Sequence, residues 1–184
     1  MTTTDIVTAA TSFVHSYARA TALSSSTTSP AHRTNIPLIA AALGAHYASN
    51  TTAYTLGHRQ VFESVAAAVP LIASHLENLD RSGLGYSIRM EAHRIEPVSA
   101  SSALCWITWS IQPREGCGLE GWQWEVVYGY RRAAQLGSEE AGPSKIGGED
   151  EEDRWEKPEG WWEFVVSDNE ISGILARVPN FMEI

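Results

Sequence analysis

The sequence predicts an α+β fold, with helices laid on one face of a curved sheet. Three observations carry this expectation. Apolar residues recur at helical spacing from Ile6 to Leu79, while longer β-patterned segments follow at about 85–97, 103–112 and 121–132. The third of these, "GWQWEVVYGYRR", sets Trp122, Trp124, Val126, Tyr128 and Tyr130 on one parity and Gln123, Glu125, Val127, Gly129 and Arg131 on the other. Alternate residues of a strand face opposite ways, so this strand has an almost wholly aromatic face. The chain of 184 residues is read as one domain, 1–184, long enough to bury a core.

Taken in order, Asp5 to Ala22 reads as a helix: Ile6, Ala10, Phe13 and Tyr17 share a stripe, and Thr4 or Asp5 supplies a cap. The stretch "SSSTTSPAHRTN" (24–35) is a flexible polar linker. A second helix starts with Pro37 in its first turn and runs through Leu38, Ala42 and Leu43 toward Tyr47. "TTAYTLG" (51–57) is rich in β-formers and ends in Gly, as a short strand would. From His58 to Leu79, residues Val61, Phe62, Val65, Val69, Ile72, Leu76 and Leu79 predict a long helix that Pro70 bends or splits. After the three strands comes an acidic, low-complexity insertion at 133–160, expected to be a mobile inter-strand loop. "WWEFVVSDNEISGILARV" (161–178) then reads as a strand or hairpin turning at Asp168 and Asn169.

Charge narrows the function classes. Between Ser138 and Gly160, nine acids face only Lys145, Arg154 and Lys157, so this segment supplies −6 of the net −9. An acidic body offers no phosphate-tracking surface, which disfavours nucleic acid. Cys105 and Cys117 form no CxxC and no Cys/His cluster, so neither a metal site nor a disulfide framework is expected, and reduced thiols fit a cytoplasmic protein. "MTTTDIVTAATSF" lacks the basic start and apolar core of a signal peptide, and no run of about 18 apolar residues spans a membrane. Gly-rich phosphate loops, nucleophile elbows and metal spacings are absent from the sequence, so no cofactor is expected.

The element order, together with "HYASNTTAYTLGHRQVFESV", resembles the nuclear-transport-factor-2-like superfamily, in particular its SnoaL-like branch. The family pattern is a second helix ending in an aromatic residue, a short strand, and a Gly-basic-x-x-apolar step. Here those parts are Tyr47, Thr51 to Leu56, and Gly57-His58-Arg59-Gln60-Val61. The resemblance covers nearly the whole chain outside the linker and the insertion. It implies a cone: a strongly curved mixed or antiparallel sheet around the helices, with an internal pocket at one end. It also implies cofactor-free isomerisation, cyclisation or dehydration of an apolar polyketide- or terpenoid-like molecule, or alternatively a non-catalytic ligand-binding or protein-docking module. A homodimer through the outer sheet face belongs to the same implication, and a second aromatic surface agrees with the seven tryptophans. The ketosteroid-isomerase subfamily needs acids at places that fall near Tyr54 or Thr55 and near Tyr128; none is acidic here, which counts against that activity.

Within this frame His58 is the candidate catalytic residue. It shares the stripe of Phe62, Val65 and Val69, and a first helical turn would keep its imidazole neutral and suited to act as a base. The bland alternative is a solvated helix-start histidine. Tyr17, Tyr54, Phe62, Trp106, Trp124 and Tyr128 are the candidate substrate contacts, with Tyr54 or Tyr17 donating to a carbonyl oxygen; plain core packing competes at each. On strand 103–112 both faces are apolar, one carrying Trp106 and the other Trp109, so the lining face stays open. His93 is expected on an outer face, His46 is undecided, and His15, His32 and His75 are read as surface residues.

Overall fold

The computed structural model describes residues 5–23, 35–133 and 159–184. Most of the 24–35 linker and of the 133–160 insertion, with His32, lies outside the described residues. Among the described residues, four helices and six strands follow in the order α1 (Ile6–Ala22), α2 (Ile36–Gly44), β1 (Tyr47–Thr55), β2 (His58–Phe62), α3 (Val65–Arg81), β3 (Ile88–Ser99), β4 (Ser102–Ile111), β5 (Trp122–Arg132), β6 (Gly160–Val166) and α4 (Asp168–Leu175). A short 3-10 turn, Phe181–Glu183, closes the order. The strands form one open sheet in the order β2-β1-β6-β5-β4-β3. All neighbours are antiparallel except β1 and β6, so the sheet is mixed, as expected.

Local chemistry explains the helices. Asp5 caps α1 by accepting from Thr8 N at 2.9 Å, and the stripe Ala10, Phe13, Tyr17 and Ala20 is buried against the sheet. Ser64 caps α3 in the same way through Ala67 N at 3.1 Å. Pro70 sits inside α3, one turn and a half from its start, without ending it. The expected helix at 58–79 is therefore corrected: 58–62 is an edge strand paired with β1, and the helix begins at Val65. Its turn, Leu56-Gly57, takes both residues into positive φ (49° and 81°), which tightens the hairpin. The second correction concerns 161–178, where only β6 is a strand. Asp168 and Asn169 start a helix instead of a hairpin turn, and Asp168 and Glu170 lie in its favourable first turn.

The core lies between α1–α3 and the concave sheet face. Ala103, Cys105, Ile107, Trp109 and Ile111 of β4 alternate inward, and Trp124, Val126, Tyr128 and Tyr130 of β5 do the same. Trp109 stands directly opposite Trp124, and Cys105 opposite Tyr128, so the aromatic face continues across strands. Trp162 of β6 is fully buried among Phe13, Tyr17, Tyr128 and Tyr130 at centroid separations of 4.6, 5.6, 4.6 and 6.3 Å. The aromatic parity read in "GWQWEVVYGYRR" is thus the concave face.

Candidate active site

Inside this concave face lies a cavity of about 250 Å³. Its floor is aromatic because β4 and β5 place Trp109, Trp124 and Tyr128 there while α1 and β1 add Tyr17 and Tyr47. Ile39 and Leu43 of α2, Phe62 of β2 and Leu76 of α3 supply the apolar walls. The polar groups collect in two places.

At the floor, the Tyr17 and Tyr47 hydroxyls are 2.8 Å apart and share a hydrogen bond. Both tyrosines, and Tyr128 beside them, are buried. Burial pushes the three phenols well above their ordinary acidity range, chiefly by denying water to a phenolate. The Glu170 carboxylate pushes the same way as a lesser cause, so the hydroxyls remain protonated. Nearer the opening, His75 Nε2 of α3 lies 3.0 Å from Glu170 Oε1 of α4. The two side chains retain 33% and 19% of their exposure, so the pair is partly screened from water and still reachable. Thr55, Gln60 and Ser167 complete the polar rim.

Helix α4 is fixed where it must be to present Glu170. Asp168 Oδ1 accepts from Leu56 N at 2.5 Å, and Ser167 Oγ bonds Thr55 Oγ1 at 3.0 Å, so the β1–β2 turn anchors the helix start. Farther along, Arg177 lies over the Trp122 ring at 4.2 Å, and Gly173 packs directly on that indole. His75 also meets Phe181 edge-on at 5.9 Å, which holds the imidazole plane.

Of the expected contacts, Tyr17, Phe62, Trp124 and Tyr128 line the cavity together. Tyr54, Trp106 and His58 do not line it. Tyr54 points outward and is 42% exposed, because its parity on β1 is opposite to that of Ala53 and Thr55. Trp106 is on the outer face, where Arg94 lies 4.8 Å over its ring; the lining side of β4 is the Trp109 side. His58 is exposed on edge strand β2, so no helix dipole acts on it. His46 is buried at the end of α2: Nδ1 is bonded to the Ala42 carbonyl at 2.9 Å and Nε2 to Ser16 Oγ at 3.1 Å. His15 and His93 meet edge-on at 5.0 Å between α1 and β3, away from the cavity.

The sequence reading did not pick out His75, Glu170 or Tyr47 as site residues. The available signal for His75 was its spacing, three after Ile72 and four after Leu71, both of which line the same cavity. Among the described residues no group of three or more His, Cys, Asp and Glu is arranged to hold a metal ion. No described helix is long and apolar enough to cross a membrane.

The folds of solved structures match this architecture. A domain of unknown function with a cystatin-like fold from Nostoc punctiforme pcc 73102 superposes with a TM-score of 0.53 at 11% identity, covering 96% of this chain and 86% of that one. An NTF-2-like protein of unknown function from Shewanella oneidensis MR-1 gives 0.50 at 8% identity, covering 87% and 96%. A ketosteroid isomerase-like protein from Erwinia carotovora atroseptica SCRI1043 gives 0.47 at 13% identity, covering 88% and 90%. No protein-family model matches the chain, and no curated protein matches it by sequence. The two superpositions at 0.50 and 0.53 show the nuclear-transport-factor-2-like fold, a cone-shaped α+β architecture with an open sheet, and the chemistry must be argued from this chain's own cavity.

Proposed function

We propose that the chain is a cofactor-free isomerase, cyclase or dehydratase acting on an apolar, ring-containing small molecule of polyketide or terpenoid type. One observation carries this reading: titratable groups from five elements converge on a single, mainly apolar cavity. Glu170 is the proton acceptor for a substrate C–H. His75, donating from Nε2, holds Oε1 of that carboxylate and leaves the second oxygen for the substrate. The Tyr17–Tyr47 hydroxyl pair donates to a substrate oxygen at the floor. The role of base that the sequence suggests for His58 belongs instead to Glu170 with His75, because that pair lines the cavity and His58 does not.

Size restricts the substrate. An apolar cavity of about 150 Å³ holds one benzene ring, so the volume here suits one or two rings. The outer face is read as a homodimer surface, where Trp106, Trp161 and Phe164 remain half-buried.

The test starts from native mass spectrometry of the purified protein, which is expected to retain a small apolar molecule. With that molecule or its ring class as substrate, Glu170→Gln is expected to lower kcat by about 10²-fold or more with the fold retained. Wild-type turnover in Glu170→Gln would overturn the assignment. Tight binding with no turnover by the wild-type protein would make it a ligand carrier.

A further inference from the structure

Within the reading of this cavity as the substrate site, the sign of its charge is informative. Among the described residues that line it there is one carboxylate, Glu170, and no lysine or arginine. The rest of the polar lining is uncharged: hydroxyls, the Gln60 amide and the buried indole N–H groups of Trp109 and Trp124, apart from the imidazole of His75. The walls are ring-rich: Tyr17 meets Tyr47, Trp109 and Tyr128 edge-on at 6.1, 6.0 and 5.7 Å, and Tyr47 meets Phe62 at 6.0 Å. Aromatic faces carry partial negative charge and attract cations, most strongly where water is excluded.

We propose that the cavity takes an organic cation, a ring body bearing an ammonium group, with the charge held between the aromatic walls and the Glu170 carboxylate. The same environment opposes anions. The three floor tyrosines resist ionisation for that reason, through burial first and through Glu170 as a lesser cause. A carboxylate or phosphate ligand meets no fixed cation among the described lining residues, while Glu170 repels it. An ammonium needs no such partner: ring faces replace part of its hydration, and one carboxylate balances its charge. This narrows the proposed substrate from an apolar ring compound to an amine-bearing one.

A pair of isosteric probes separates charge from shape. Trimethyl(phenyl)ammonium and tert-butylbenzene have nearly the same outline, and each fits the available volume. Binding is followed by ligand-observed NMR and by quenching of tryptophan emission at pH 7. The expected result is at least tenfold tighter binding of the cation. In Glu170→Gln, checked by circular dichroism, that preference falls below threefold and the affinity for tert-butylbenzene is unchanged. Equal or tighter binding of tert-butylbenzene by the wild-type protein overturns the inference and leaves the apolar substrate site standing. Binding of neither probe overturns both together. A cation preference that Glu170→Gln leaves intact overturns the assignment of the charge to Glu170.

Discussion

His46 shows how a single buried side chain sets a pH window. Its imidazole is 4% exposed, and loss of hydration lowers its pKa from 6.5 to about 4, with Arg19 a minor contributor in the same direction. The neutral ring fits its surroundings, since Nδ1–H donates to Ala42 and Nε2 accepts from Ser16. Because the folded-state pKa is depressed, the unfolded chain takes up the proton first as pH falls. Stability from this group is full above pH 6.5 and is lost on descent toward pH 4, by up to about 3 kcal/mol. Urea denaturation across that interval is expected to show the decline in the wild-type protein and a flatter curve in His46→Gln. Tyr17→Phe tests the floor pair: it leaves the Tyr47 hydroxyl without its 2.8 Å partner and is expected to cost about 1 kcal/mol in the same assay. Neither role was legible beforehand. Tyr17 was identified from its helical stripe, but the stripe says only that the ring faces inward, not that its hydroxyl meets Tyr47. In the sequence His75 reads as a surface residue, because apolar periodicity marks contact with solid core. A polar residue facing a cavity at the edge of the stripe carries no such mark.

Among the elements, β3, β4 and β5 were legible because period-2 patterning survives wherever one face is buried. Strand β2 was not, since four of its five residues are exposed on a sheet edge and its apolar pair happened to extend the spacing of α3. Helix α4 was hidden for a different reason. Ser167-Asp168-Asn169 is turn chemistry that serves equally as a helix start, so the sequence pattern left hairpin and helix degenerate. This helix carries Glu170, and its docking rests on Gly173, where an added Cβ would run into the Trp122 indole. Gly173→Ala is expected to cost about 1–3 kcal/mol by overpacking and to alter the emission of Trp122. Turnover should fall along with stability because Glu170 moves with the helix. Unchanged stability would show that α4 is held by its Leu56 and Thr55 anchors alone.

For the whole molecule, the curved sheet and ring-filled concave face followed from sequence, whereas strand order did not, because no local pattern records which strands become neighbours. The outer face supplies a test at this scale. Trp106→Glu places a charge at the centre of the proposed dimer surface, and sedimentation is expected to shift from twice the chain mass of 20.1 kDa to one copy. Persistence of the dimer, or a monomeric wild-type protein, would remove that part of the proposal. The order β2-β1-β6-β5-β4-β3 has a consequence for how the protein is made. Among the described residues, strand β6 is the one bridge in the sheet between the β2-β1 pair and the β5-β4-β3 meander, and it aligns Tyr47 with Trp162. During synthesis the two halves must wait, each with an unpaired strand edge, until β6 leaves the ribosome. Contacts of such long sequence separation make for slow closure, so a released chain truncated after Arg132 should expose the aromatic face and recruit chaperones.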